Sequence, residues 1–159
     1  MSGEKLIHLS ETPSVVGFAT PATTPNAETN PVKKAGEGGG PICIVDDDEW
    51  VADSIATLLE AHGFEVWSYT SAGRFLADRR RDETRCLIID QHMPGVEGLD
   101  AIAALHREAC FPPTILITGR LDAAISSRAD RLGVQAVIEK PFPVTRLVTL
   151  IRGLLDRPD

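Results

Sequence analysis

From residue 41 onward, short apolar runs and helix-period segments alternate five times, and this alternation leaves the chain very few folds to choose from. The apolar runs are Ile42-Cys43-Ile44-Val45, Phe64-Glu65-Val66-Trp67, Cys86-Leu87-Ile88-Ile89, Thr114-Ile115-Leu116-Ile117 and Val134-Gln135-Ala136-Val137-Ile138. Runs that are apolar at consecutive positions suit strands buried on both faces, where simple in–out alternation would not be seen. Between them, Val51, Ile55, Leu58, Leu59 and His62 recur at helical spacing, and Gly63 supplies a stop. Ser71 can cap a second helix that turns Phe75 and Leu76 inward and leaves Arg79-Arg80-Arg81 in water. Leu99, Ile102 and Leu105 mark a third helix, and a fourth runs to about Leu132 before Gly133. Leu147, Leu150, Ile151 and Leu154 make one stripe on a fifth. The pattern predicts an α/β fold in which helices cover both faces of a parallel sheet. The fifth helix brings the sequence to its end, so no output domain is expected on that side.

Residues 1–40 differ in kind. Scattered Pro, Thr, Ala and Asn end in Gly36-Glu37-Gly38-Gly39-Gly40, with too few spaced apolar residues to bury a core. This stretch is expected to be a disordered tail or linker. Its glycines are no phosphate loop, because no strand precedes them and no Gly-Lys-Ser/Thr follows. The formal net charge of −7 argues against nucleic acid or an anionic membrane surface as the main partner. No stretch reaches the roughly 18 apolar residues of a membrane span, and the N-terminus lacks a secretory apolar segment, so a cytoplasmic protein is expected. Three cysteines without C-x-x-C spacing fit reduced thiols, with Cys43 and Cys86 inside apolar runs and therefore expected to be buried.

The chemistry lies in the polar residues that end the strands. Asp46, Asp47 and Asp48 follow the first, Asp90 ends the third, Thr118 the fourth, and Lys140 the fifth. In an open parallel sheet ligands bind beyond the carboxyl ends of the strands, so residues far apart in sequence should meet at one edge. Carboxylates crowded there would repel by about 4 kcal/mol at a separation of about 4 Å and an effective dielectric near 20. Such a cluster is poor for stability and well suited to a hard cation. Mg²⁺ takes one or two carboxylates plus water and phosphate oxygens. One carboxylate can act as a nucleophile toward phosphorus, with Lys140 and the Thr118 hydroxyl available to stabilise phosphoryl oxygens. Gly119 leaves space beside that threonine. Each residue also has a plain reading: an Asp run can cap a helix, Asp90 can open a Pro/Gly loop, and Thr118 and Lys140 can sit in ordinary turns. Four such coincidences at successive strand ends favour the joint reading.

With these pieces in order, residues 41–156 resemble a bacterial two-component response-regulator receiver, especially the FixJ-like kind. The resemblance rests on Ile44-Val45-Asp46-Asp47-Asp48, Leu87-Ile88-Ile89-Asp90, Met93-Pro94-Gly95 with Gly98, Ile117-Thr118-Gly119 and Ile138-Glu139-Lys140-Pro141-Phe142. It implies a flavodoxin-like, doubly wound, five-stranded sheet of order 2-1-3-4-5 with five helices. It further implies that Asp90 takes a phosphoryl group from the phosphohistidine of a histidine kinase or histidine phosphotransfer protein. Asp46, Asp47, Asp90 and the backbone carbonyl of His92 would hold Mg²⁺, Lys140 and Thr118 would assist, and the Lys140–Pro141 bond would be cis. Such a protein is a switch and no general enzyme, catalysing only its own phosphorylation and dephosphorylation. Output would pass to a downstream protein partner through the face from Leu121 to Leu155, and the chain could separately form a homodimer. The sequence departs from the family at Val137, where many receivers carry an aromatic ring that swings inward. His92 and Arg120 fall where the family tunes attack by water.

Two other functions fit parts of the pattern. A haloacid-dehalogenase-type phosphatase also carries Asp-x-Asp after its first strand, which would make Asp46 the nucleophile. A receiver-shaped adaptor that is never phosphorylated would share the fold, but keeping packed carboxylates without a cation costs stability. The basic residues Arg74, Arg79, Arg80, Arg81 and Arg85 read as a solvated face around the second helix.

Overall fold

The computed structural model describes residues 39–108 and 111–156, so the expected tail lies almost wholly outside the described residues, as does Cys110. In chain order the elements are β1 (Ile42–Val45), α1 (Glu49–Ala61), β2 (Val66–Tyr69), α2 (Ala72–Ala77), a 3₁₀ helix (Arg79–Glu83), β3 (Cys86–Asp90), α3 (Gly98–Arg107), β4 (Thr114–Thr118), α4 (Ala123–Arg131), β5 (Ala136–Glu139) and α5 (Val144–Leu155). All strand pairs are parallel, in the order β2-β1-β3-β4-β5.

Successive strand residues point to opposite faces, so each strand feeds two cores. On one face Ile42, Ile44, Ile88, Ile115 and Ile117 pack against Ile55 and Leu59 of α1 and Leu147 and Ile151 of α5. On the other, Cys43, Val45, Leu87, Ile89 and Leu116 meet Phe75 of α2, Leu99, Ile102 and Leu105 of α3, and Ala129 of α4. Burying each of these larger apolar side chains contributes about 1.5–3 kcal/mol, and together they fix the sheet between two helical layers.

Two strands start later than the apolar runs suggest. After α1, Gly63 adopts φ +92°; its N–H donates to Glu60 O, and Phe64 N–H donates to Leu59 O. Phe64 therefore belongs to a helix-terminating motif whose apolar residue folds back on the core, and β2 begins at Val66. The same device recurs after α4: Gly133 N–H bonds Asp130 O and Val134 N–H bonds Ala129 O, which delays β5 to Ala136.

The second helix is also shorter than its pattern. Ser71 caps it as expected, accepting from Arg74 N–H, but Asp78 then caps a 3₁₀ helix by accepting from Arg80 N–H. Arg74 and Arg79 are exposed, as a solvated face requires, but Arg80 and Arg81 are not part of one. Arg80 pairs with Asp78 at 2.9 Å and lies 4.6 Å above the Trp67 ring, while Arg81 bonds Leu76 O and Glu108.

Candidate functional site

Parallel register builds the site. Val45 pairs with Ile89, so the residues that follow, Asp46 and Asp90, emerge side by side. One step on, Thr118 pairs with Glu139, which sets Lys140 just beyond the same edge. The Lys140–Pro141 bond is cis.

The three consecutive aspartates divide their work. Asp48 is the N-cap of α1, accepting from Trp50 N–H at 3.0 Å and Val51 N–H at 3.3 Å. Asp46 is 2% exposed, and its Oδ1 accepts from Asp48 N–H at 2.9 Å. Asp47 is exposed. Asp46, Asp47 and Asp90 each offer a carboxylate oxygen, and these oxygens lie within 4.8 Å of one another.

Lys140 supplies the facing positive charge. Its Nζ is 2.9 Å from Asp90 Oδ1 and 3.9 Å from Asp46 Oδ2. Both contacts are ionic and lack hydrogen-bond geometry, so these two buried oxygens accept no directional bond. Burial pushes the Asp46 carboxyl up to about 6, helped by the Asp90 charge and opposed by the Asp48 N–H and Lys140. Burial alone would pull the Lys140 ammonium down, but its contacts with Asp90 and Asp46 outweigh that and hold it above its ordinary value. Crowded, under-bonded carboxylate oxygens are the donor set a hard divalent cation takes, and the residues present fit Mg²⁺.

Thr118 is fully buried, and its hydroxyl is already committed. It donates to Arg120 O and accepts from Arg120 N–H, both at 3.1 Å, and it lies 3.2 Å from His92 Nε2. With the hydroxyl proton directed to Arg120 O, His92 meets it as an Nε2–H donor. The loop after Thr118 has a further tie, Leu121 N–H to Glu139 Oε2 at 3.0 Å. A Cβ at Gly119 would meet nothing within 4 Å, so the space expected there exists. Val137 is half-buried against the core on the α2–α3–α4 side of the sheet.

Several residues at this edge carried no legible sequence signal. Glu139 reads as an ordinary strand-end charge, and only the register of β5 shows it reaching the neighbouring loop. Trp50, in the first turn of α1, is 84% exposed beside the acidic cluster. An indole in an amphipathic helix ordinarily reads as core, and only α1's orientation shows this one facing water. Gln91 follows Asp90 and is buried. Gly98, noticed only as part of a motif, has a steric reason: a Cβ there would come 2.5 Å from Asp90 O. Away from the site, burial pushes the Cys43 and Cys86 thiols up to about 12, as expected of structural cysteines.

A doubly wound parallel sheet with its acidic cluster and lysine gathered at the carboxyl edge defines the class of flavodoxin-like signalling domains. Within it, the sequence matches the response regulator receiver domain family over residues 42–152, and the chain belongs to that family. It is 33% identical over 117 residues to the transcriptional regulatory protein FixJ of Azorhizobium caulinodans, covering 74% of this chain and 56% of that protein. It is 34% identical over 114 residues to the response regulator protein TodT of Pseudomonas putida, covering 72% and 50% respectively. The chain thus spans about half the length of the curated relatives it matches. Among solved structures, a CheY-like receiver domain protein from Methanospirillum hungatei superimposes with a TM-score of 0.68 at 30% identity, covering 74% of this chain and 94% of that one. No helix among the described residues is long and apolar enough to cross a membrane.

Proposed function

We propose that this receiver accepts a phosphoryl group on Asp90 from the phosphohistidine of a histidine kinase or histidine phosphotransfer protein. The observation that carries the reading is the Asp46–Asp47–Asp90 cluster with Lys140 Nζ 2.9 Å from Asp90. A carboxylate oxygen of Asp90 attacks phosphorus; the new P–O bond forms as the P–N bond to the donor imidazole breaks, and the bonding pair leaves with that nitrogen. Lys140 is placed to neutralise charge on the phosphoryl oxygens. Thr118 would bond one of them once its hydroxyl turns from Arg120. Asp46, Asp47, Asp90 and the His92 carbonyl would hold Mg²⁺, which when bound offsets charge at the attacking carboxylate and the phosphoryl oxygens. The switch belongs to residues 41–156, with residues 1–40 as a tail or linker. Output passes to a protein partner through the Leu121–Leu155 face, since the net charge of −7 disfavours DNA.

The phosphatase reading needs Asp46 as nucleophile and finds no support in a chain of the receiver family. The test uses a small phosphodonor such as phosphoramidate with Mg²⁺. Intact-mass analysis should show one added phosphoryl group, stable in acid and labile in base. Asp90→Asn should abolish it; undiminished labelling of that variant refutes the assignment.

A further inference from the structure

Gln91 is a polar side chain where the fold has little reason to bury one. It is 5% exposed, and long amides are seldom buried unless every polar atom is bonded. Here every one is. Its backbone N–H donates to Ile117 O at 2.7 Å, and its carbonyl accepts from Gly98 N–H at 3.1 Å. Its side-chain Oε1 accepts from Leu99 N–H at 2.8 Å, and its Nε2 donates to Glu97 Oε1 at 3.1 Å.

Three of these four bonds run to the far end of the loop that follows and to the start of α3. Residues 91–97 connect β3 to α3, and Gln91 ties the first residue of that loop to its last and to the first two residues of the helix. The bond to Leu99 also supplies what α3 lacks locally. Glu97 stands at the N-cap but makes no side-chain bond to the helix, so an amide eight residues upstream takes the orphan N–H at the second helical position. The contact is tight on its other side too, because the start of α3 presses so closely on the Asp90 carbonyl that Gly98 has no room for a Cβ. Inside the closed loop, Met93 is buried in the core and the His92 ring rests on Thr118. The residue directly before this closure is Asp90.

We propose that Gln91 is a positioning residue for phosphoryl transfer. Its amide closes the β3–α3 loop and so holds Asp90 and the His92 carbonyl in metal-binding geometry before a cation arrives. The inference rests on the reading of Asp90 as phospho-acceptor and of the His92 carbonyl as a ligand. The physical reason is that Mg²⁺ tolerates little departure from octahedral geometry, so a loop ordered beforehand spares the cost of ordering it on binding. A leucine at this position would fill the same space and bond nothing, leaving the α3 N-terminus without its acceptor.

The test compares wild type with Gln91→Met, which keeps length and loses both side-chain bonds. It adds Glu97→Ala, which removes only the Nε2 partner, and Glu97→Gln, which keeps an acceptor but not the charge. Mg²⁺ affinity is measured by calorimetry, and hydrogen exchange at the Leu99 amide is followed in the metal-free protein. Phosphoramidate labelling is followed against Mg²⁺ concentration. For Gln91→Met, Mg²⁺ affinity should fall about tenfold, the Mg²⁺ needed for half-maximal labelling should rise in step, and Leu99 should exchange faster. The labelling rate at saturating Mg²⁺ should change by less than about threefold, because the nucleophile is untouched. Glu97→Gln should stay within about twofold of wild type, and Glu97→Ala should fall between the two. Lowered thermal stability with unchanged Mg²⁺ affinity in Gln91→Met would make the amide merely structural and overturn the proposal. If that variant does not fold, unchanged affinity in Glu97→Ala overturns it equally. A wild-type protein that neither binds Mg²⁺ nor labels at Asp90 would instead remove the underlying reading.

Discussion

Asp46, Asp47 and Asp48 are the same residue type in succession, yet the backbone gives them unlike environments. The first is buried beside Asp90, the second points to water within reach of both, and the third spends its oxygen on α1. Reading the run from sequence as either a metal pocket or a helix cap therefore posed a false choice, since both are present in one tripeptide. What periodicity could not show is where the strand stops and the cap begins, because that depends on which N–H groups α1 leaves unpaired. The division predicts opposite consequences for neighbouring substitutions. Asp48→Ala should cost about 1 kcal/mol of stability by removing the cap and leave the Mg²⁺ response largely intact. Asp47→Ala should leave the metal-free protein as stable as before, or more so, and abolish stabilisation by Mg²⁺, which for wild type should reach about 2.7 kcal/mol at a hundredfold excess over Kd. Thermal melts with and without Mg²⁺ check both, and equal Mg²⁺ gains in wild type and Asp47→Ala would contradict the ligand role.

Strand and helix identities were legible because burial on both faces and a 3.6-residue stripe leave little ambiguity in segments such as Cys86–Ile89 or Leu147–Leu154. Element ends were less so. Phe64 and Val134 are apolar and precede strands, but each is held by the helix behind it. The largest departure is the short α2, where the Arg79–Arg81 run looked like solvated helix. Asp78 interrupts it, and one carboxylate serves three purposes. It caps the 3₁₀ helix, pairs with Arg80, and accepts from the Tyr69 hydroxyl at 2.9 Å. No local pattern announces the last of these, because Tyr69 arrives from the edge strand β2. The hydrogen bond from Arg80 leads the effects that hold the Asp78 carboxyl down to about 2. A carboxyl lowered by folding stabilises the native state above its unfolded value near 3.8, and that contribution is lost as pH falls toward about 2. Allowing for the partly exposed Arg80 partner, it is on the order of 1–2 kcal/mol. Denaturant melts of wild type and Asp78→Asn should differ by that amount at pH 6 and converge as pH falls toward 2. A gap independent of pH would assign the effect to the cap geometry instead of the charge.

For the molecule as a whole, the question is how a change at Asp90 reaches a surface when Val137 stands where a ring would swing. If output leaves by the Leu121–Leu155 face, the bonds around Thr118 are its joints. Thr118 is bound to Arg120 through both backbone groups and to His92, while Glu139 holds Leu121 N–H from the residue next to Lys140. A phosphoryl group that draws Thr118 and Lys140 inward must loosen these ties, so the loop from Gly119 to Asp122 and the start of α4 are the parts free to move. A ligand shifts a two-state equilibrium only by its differential affinity for the two states, and exchanging a few polar bonds without turning over an aromatic core residue is a small difference. Partner affinity should therefore change by about tenfold, or about 1.4 kcal/mol, on activation. Beryllium fluoride, as a phosphoryl mimic, should move backbone NMR shifts from Gly119 to Arg131 more than those around Arg79–Arg81. The second region is anchored separately, by Asp78, Trp67 and Glu108. Glu139→Ala should raise the mobility of Leu121 in the unmodified protein and shrink the shift that beryllium fluoride adds there, because one of these ties has already been cut. If the largest changes outside the site fall instead on α2 and its arginines, the signal leaves by the edge-strand side of the sheet, and the loop after Thr118 is not its route.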